Sequence, residues 1–196
     1  AEIGRLDLSS NSEVVNWEDP RAFTSDEGGE VLMGLTAIRT SDNKPVAATL
    51  KGRIIAGNFQ MDISSVAVCF NDEGKNTTPL SLDRVLFRRS GFPHGLELAE
   101  TVNNEETGQG KLKVLKTIQF PKKPWCEWQI GTQAQILPDG ILPVHGTNRV
   151  SLGIDPETKQ EAYGYTYSLG LAQLDENMNL IKVSDEPFFT RDSFKN

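Results

Sequence analysis

The chain has 196 residues, 37% hydrophobic and 24% charged, which is ordinary for one globular domain with its own core and unlike a disordered segment. A net charge of −7 and a pI near 4.9 argue against general electrostatic attraction to nucleic acid or to an acidic membrane surface. Apolar runs of about 18 residues are absent, as is a charged-then-apolar amino terminus, so neither a membrane span nor a signal peptide is expected.

In chain order, Ile3, Leu6 and Leu8 alternate within Ala1 to Ser12, which predicts an edge strand followed by a Ser/Asn turn. The segment Asn16-Trp17-Glu18-Asp19-Pro20-Arg21-Ala22-Phe23 follows. It sets two adjacent carboxylates, a proline and an arginine between aromatic residues. Proline fixes its own φ and biases Asp19 toward an extended conformation, so Asp19 and Arg21 are expected on a short, stiff backbone where two reacting groups could be positioned. The plainer reading is a turn device at the start of a strand, with Glu18 and Arg21 as a solvated ion pair.

Asp26-Glu27-Gly28-Gly29 reads as a turn, Val31 to Arg39 as a strand, Ser41-Asp42-Asn43 as a turn and Val46 to Leu50 as the next strand. Arg53 to Phe59 and Ser65 to Phe70 are further short apolar runs, closed off by Asn71-Asp72-Glu73-Gly74. In the segment Leu82 to Glu100, LDRVLFRR reads as one strand and Gly91 to Gly95 as a loop. Arg88 and Arg89 alternate across that strand, so only one of them can face a given site. Asn103 to Gly110 is a polar hairpin tip, and Lys111 to Gln119 alternates lysines with Leu112, Val114 and Ile118 as a half-buried strand.

The last third is the most patterned. Trp125 to Gly131 leads through Ala134 to Leu137 into a Pro138-Asp139-Gly140 turn and then Ile141 to Gly146, which would deliver His145 to a strand end. Tyr163, Tyr165 and Tyr167 alternate, and Asp175-Glu176-Asn177 closes another hairpin. With no long amphipathic helix, the expectation is an all-β chain of short antiparallel strands, 1–196 forming a single domain. A loose recurrence of about 45 to 50 residues matches a four-stranded propeller blade, so the chain would make roughly four blades.

Cys69 and Cys126 are too few for a disulfide scaffold and lack zinc-type spacing, so they read as two separate buried thiols. His94 and His145 are the only histidines, which argues against a histidine-rich metal centre. No phosphate-loop or dinucleotide fingerprint occurs. A cytoplasmic location is the default, with secretion the alternative if a signal was removed before Ala1.

Three segments, WEDPRAF at Trp17 to Phe23, WQIGTQAQILPDGILPVHG at Trp128 to Gly146, and the stretch from Tyr163 to Phe188, together resemble glycoside hydrolase family 130. That family contains β-mannoside phosphorylases and β-mannosidases on a five-bladed β-propeller. The resemblance implies that Asp19 is the general acid and Arg21 a substrate or phosphate contact, with His145 near the phosphate or catalytic water. Lys75 corresponds to the lysine of a Lys-Asp pair in which Asn76 replaces the acid, and Arg88 or Arg89 to a further basic residue. Only sixteen residues precede Trp17, so the first blade is expected to be short or missing.

Inverting cleavage needs a proton donor on the leaving oxygen and a nucleophile on the opposite face. A phosphorylase would use Asp19 as the acid and inorganic phosphate, its co-substrate, held by Arg21, Lys75, Arg88 or Arg89, and His145. A hydrolase would need a second carboxylate, for which Glu97 and Glu127 are candidates. Trp17 and Trp128 could stack on sugar rings, although aromatic residues at this density are more often packing, and a histidine like His145 is more often a core residue. No cofactor or metal is implied. An oligosaccharide is the expected partner, with a homo-oligomer compatible. The alternative function is a non-catalytic glycan-binding or assembly module of the same fold.

Overall fold

A computed structural model of the chain describes residues 14–25, 29–55, 58–91, 94–103, 110–127, 129–132 and 136–190. Among them the regular structure is β, with one short 3-10 turn at Pro138–Gly140, so the all-β reading holds. No helix of the described residues is long and apolar enough to cross a membrane. The expected strand before Ser12, the hairpin tip beyond Asn103, the turn residues 26–28 and Trp128 lie outside the described residues.

The contacts group the chain into two compact units, 1–92 with 96–117, and 93–95 with 118–196. The first carries β1 (Val14–Thr24), β2 (Glu30–Arg39), β3 (Pro45–Ile55), β4 (Asn58–Pro79), β5 (Arg84–Arg89), β6 (Gly95–Asn103) and β7 (Gly110–Gln119), hydrogen-bonded in sequence order. A parallel pairing of β4 with β7, Ala67 opposite Gly110, closes the sheet, and the result is a six-stranded barrel with β1 added at its side. Leu32, Ala47, Ala67, Phe87, Ala99 and Leu112, one from each of β2 to β7, form one buried cluster, because successive side chains alternate and each strand sends one row inward. A second cluster, with Leu35, Val46, Leu50 and Val68, lies on the opposite face of β2 to β4.

β4 departs from expectation. Asn71 to Gly74 was expected to end a strand, yet β4 runs through it. The strand changes partners there: residues from Asn58 to Glu73 pair with β3, Ala67 and Val68 also with β7, and residues from Gly74 to Pro79 pair with β5. Gly74 is suited to that crossing, since a Cβ at this position would press on the Phe87 ring.

The second unit carries β8 (Gln129–Gly131), β9 (Ile141–Ile154), β10 (Glu161–Leu174), β11 (Leu180–Val183) and β12 (Phe189–Thr190). Four of these run β8-β9-β10-β11 as a sequential antiparallel meander, with β12 also on β10. The Pro138 to Gly140 turn forms where expected, with Asp139 and Gly140 both at positive φ. One face of the meander packs on Trp125 and Cys126. Gly146 and Gly170 permit this, because a Cβ at either would overlap Trp125. The strands are thus gathered into one seven-stranded and one five-stranded sheet, where propeller blades would be separate four-stranded sheets.

Candidate functional site

The Asp19-Pro20-Arg21 segment forms a bulge rather than the stiff extended run expected of it. Glu18 stands opposite Thr36 and Arg21 opposite Gly34, so Asp19 and Pro20 together face a single residue of β2. Asp19 has φ 53°, in the left-handed region, not the extended one that the following proline ordinarily imposes. An aspartate tolerates this conformation better than most residues, and a bulge is where a strand accepts a proline that has no N–H to donate. Asp19 is exposed and Arg21 half-buried.

The Arg21 guanidinium donates to the Asp19 carbonyl over 3.1 Å and to Asn76 Oδ1 over 3.4 Å. Burial lowers the Arg21 pKa from the ordinary arginine value, opposed by the Asp19 charge. Glu18, instead of pairing with Arg21, accepts from the Asn16 side chain. The approach of β1 to Asn76 has a simple origin. Gly34, opposite Arg21, lies so close to Thr77 of β4 that a Cβ there would collide with its carbonyl. Asn76 itself has φ 59°, its backbone N–H donates to Thr36 Oγ1, and its residue is buried.

Lys75 lies next to Asn76 and directly opposite Arg88 on β5, so their side chains leave the sheet on the same face. Arg89 stands opposite Gly74, on the other face, and its guanidinium lies 3.9 Å from the Glu97 carboxylate. Glu97 is buried and also accepts from Thr117 Oγ1 at 2.8 Å. The structure therefore separates the two arginines that sequence left as alternatives. Arg88 joins Lys75, and Arg89 joins Glu97.

Trp17 is half-buried against the Leu35 and Val46 cluster, which makes it a packing residue. His145 belongs to the second unit. It sits inside β9, between Gly131 of β8 and Leu169 of β10, rather than at a strand end, because β9 continues to Ile154. Its ring centroid is 6.4 Å from that of Tyr167. Glu127 is exposed, with its backbone N–H donating to Asn148 Oδ1 at 2.7 Å and its carbonyl 3.1 Å from His94 Nε2.

Sequence reading missed the Arg21–Asn76 contact and the burial of Glu97, which it had named as a candidate base. The pattern Leu96-Glu97-Leu98, a carboxylate between two leucines, was the available signal for the second. Cys126 is a free buried thiol whose pKa is raised by burial, and the Cys69 side chain lies outside the described residues. A pocket of about 430 Å³ in the second unit is lined by Ile136, Asp139, Asp175, Glu176 and Met178, among others, and by none of the predicted site residues. Asp175 there caps its own turn, accepting from the backbone N–H groups of Asn177 and Asn179.

No family model matches the chain, and neither do curated proteins or solved structures.

Proposed function

We propose that this chain cleaves β-mannosidic or related glycosidic bonds with inversion, using inorganic phosphate as the nucleophile. The observation that carries the reading is the pairing of two cationic side chains on one face of the first sheet, Lys75 opposite Arg88; Arg21, opposite Gly34 in the row of Leu32, bonds the next residue of β4, Asn76, from the other face. In a protein of net charge −7, such a pair suits a small anion that needs several donors to hold it in place. Asp19, two residues from Arg21 in the bulge, supplies the proton to the leaving oxygen. Arg89 is left out, since it faces Glu97.

The resemblance to glycoside hydrolase family 130 supports the substrate class, and its propeller form belongs to the same proposal. The β8-β9-β10-β11 meander has the strand order of a single propeller blade, which is the support the second unit lends to that form. A non-catalytic glycan-binding or assembly module is the second reading. It is favoured by Asn76, which puts an amide where the resemblance calls for a carboxylate.

Release of mannose and mannose 1-phosphate from β-linked manno-oligosaccharides, with and without inorganic phosphate, tests the reading on wild type and Asp19→Asn. Phosphate-dependent mannose 1-phosphate that disappears in Asp19→Asn is the expected result. Free mannose without phosphate would point to hydrolysis instead. Product in neither condition, with oligosaccharide binding retained, would leave the binding module.

A further inference from the structure

The meander of the second unit has two unlike faces. One packs on Trp125 and Cys126. The other carries Tyr163, Tyr165, Tyr167, Leu169 and Leu171 of β10, which alternate along the strand, with Phe189 paired opposite Leu169. These six side chains are 37% to 62% exposed. A side chain of this size presents roughly 150–250 Å² when fully bare, so the six together leave about 500 Å² of mostly apolar surface on one face of the curled sheet. That is near the upper end of the largest patch found on ordinary monomers, about 300–600 Å². With His145 and Arg149 on the same face, it approaches the roughly 800 Å² per partner of a standard interface.

The ends of this face differ in charge. Glu161 lies six positions before Tyr167, exposed and accepting from the Tyr163 hydroxyl. Six positions after Tyr167 stands Gln173, whose cross-strand neighbour is the exposed Lys182. At about 3.4 Å per residue, each charge is roughly 20 Å from the centre, on opposite sides. A second, antiparallel copy of the face therefore sets Glu161 of each copy beside Lys182 of the other, while tyrosine meets tyrosine at the middle.

We infer that this face is a two-fold interface between two copies of this chain, with the β10 strands stacked antiparallel about Tyr167. Such an interface is self-complementary: each apolar residue meets the same patch on the partner, and the two charge pairs at the rim fix direction and register. The inference does not rest on the catalytic reading.

Sedimentation equilibrium over a range of protein concentrations tests it. Wild type should behave as a monomer–dimer system, and Tyr167→Glu, which puts a charge at the centre of both faces, should weaken association roughly tenfold or more. Glu161→Lys and Lys182→Glu should each weaken it, and the double exchange should restore it. These two alter only exposed side chains and so serve even if Tyr167→Glu fails to fold. A wild type that stays monomeric at its solubility limit would overturn the inference. So would a dimer insensitive to Tyr167→Glu, a charge exchange without restoration, or a monomer whose tyrosine face instead binds oligosaccharide.

Discussion

Arg21 and Asn76, fifty-five positions apart in sequence, are joined by a 3.4 Å hydrogen bond between guanidinium and side-chain amide oxygen. The bond ties the Asp19 bulge to a second residue with left-handed backbone, since Asp19 and Asn76 have φ of 53° and 59°. Non-glycine residues in that region carry strain that the surroundings must hold, and strain of this kind concentrates at ligand sites.

Arg21→Ala should destabilise the protein by about 1 kcal/mol, the net worth of a hydrogen bond whose buried partner is left unmet. Arg21→Lys should recover only part of that, because an ammonium cannot reproduce the planar fork that reaches both the Asp19 carbonyl and Asn76. Urea unfolding of the two variants measures the difference.

Gly146→Ala should cost more, about 2–3 kcal/mol, as overpacking of a filled site does. The new methyl group would overlap Cys126 and Trp125, including the Trp125 backbone carbonyl, which cannot rotate away. The loss should appear in thermal unfolding, with a changed tryptophan fluorescence in the native state.

His94 is buried, and desolvation lowers its pKa below the ordinary value of 6.5. The Glu127 carbonyl, which accepts from Nε2, opposes this effect, and the Lys122 charge adds to it. The unfolded chain therefore takes up the proton first as pH falls. Stability from the neutral ring is full above about pH 6.5 and declines as pH drops through that value toward the lower folded pKa. His94→Gln should flatten the slope of unfolding free energy against pH in this interval.

Much of the fold was legible wherever one side of a strand is wet. Lys111 to Gln119 alternates lysine with apolar residues, and Leu112 and Ile118 are buried as the pattern required, although Val114 of the same row is exposed. The Pro138-Asp139-Gly140 turn and the tyrosine alternation of β10 were equally plain. Asn71 to Gly74 misled because turn-forming residues also suit a strand that switches partners. The same limit hid the Asp19 conformation: proline's local preference for an extended predecessor yields when two residues must face one across a bulge. In the candidate site, the two-residue period of β5 showed that Arg88 and Arg89 part company. Which of them meets Lys75 depends on register with β4, and register between strands is set by packing that no local pattern records.

Phosphate titration followed by calorimetry, on wild type, Lys75→Ala, Arg88→Ala and Arg89→Ala, tests the central claim most directly. Phosphate should bind wild type, and its affinity should fall roughly 10- to 100-fold in Lys75→Ala and in Arg88→Ala, the loss of one charge-assisted contact. Arg89→Ala should bind as wild type does, because its guanidinium faces Glu97 on the other side of the sheet. Equal losses in all three variants, or no phosphate binding by wild type, would contradict the assignment.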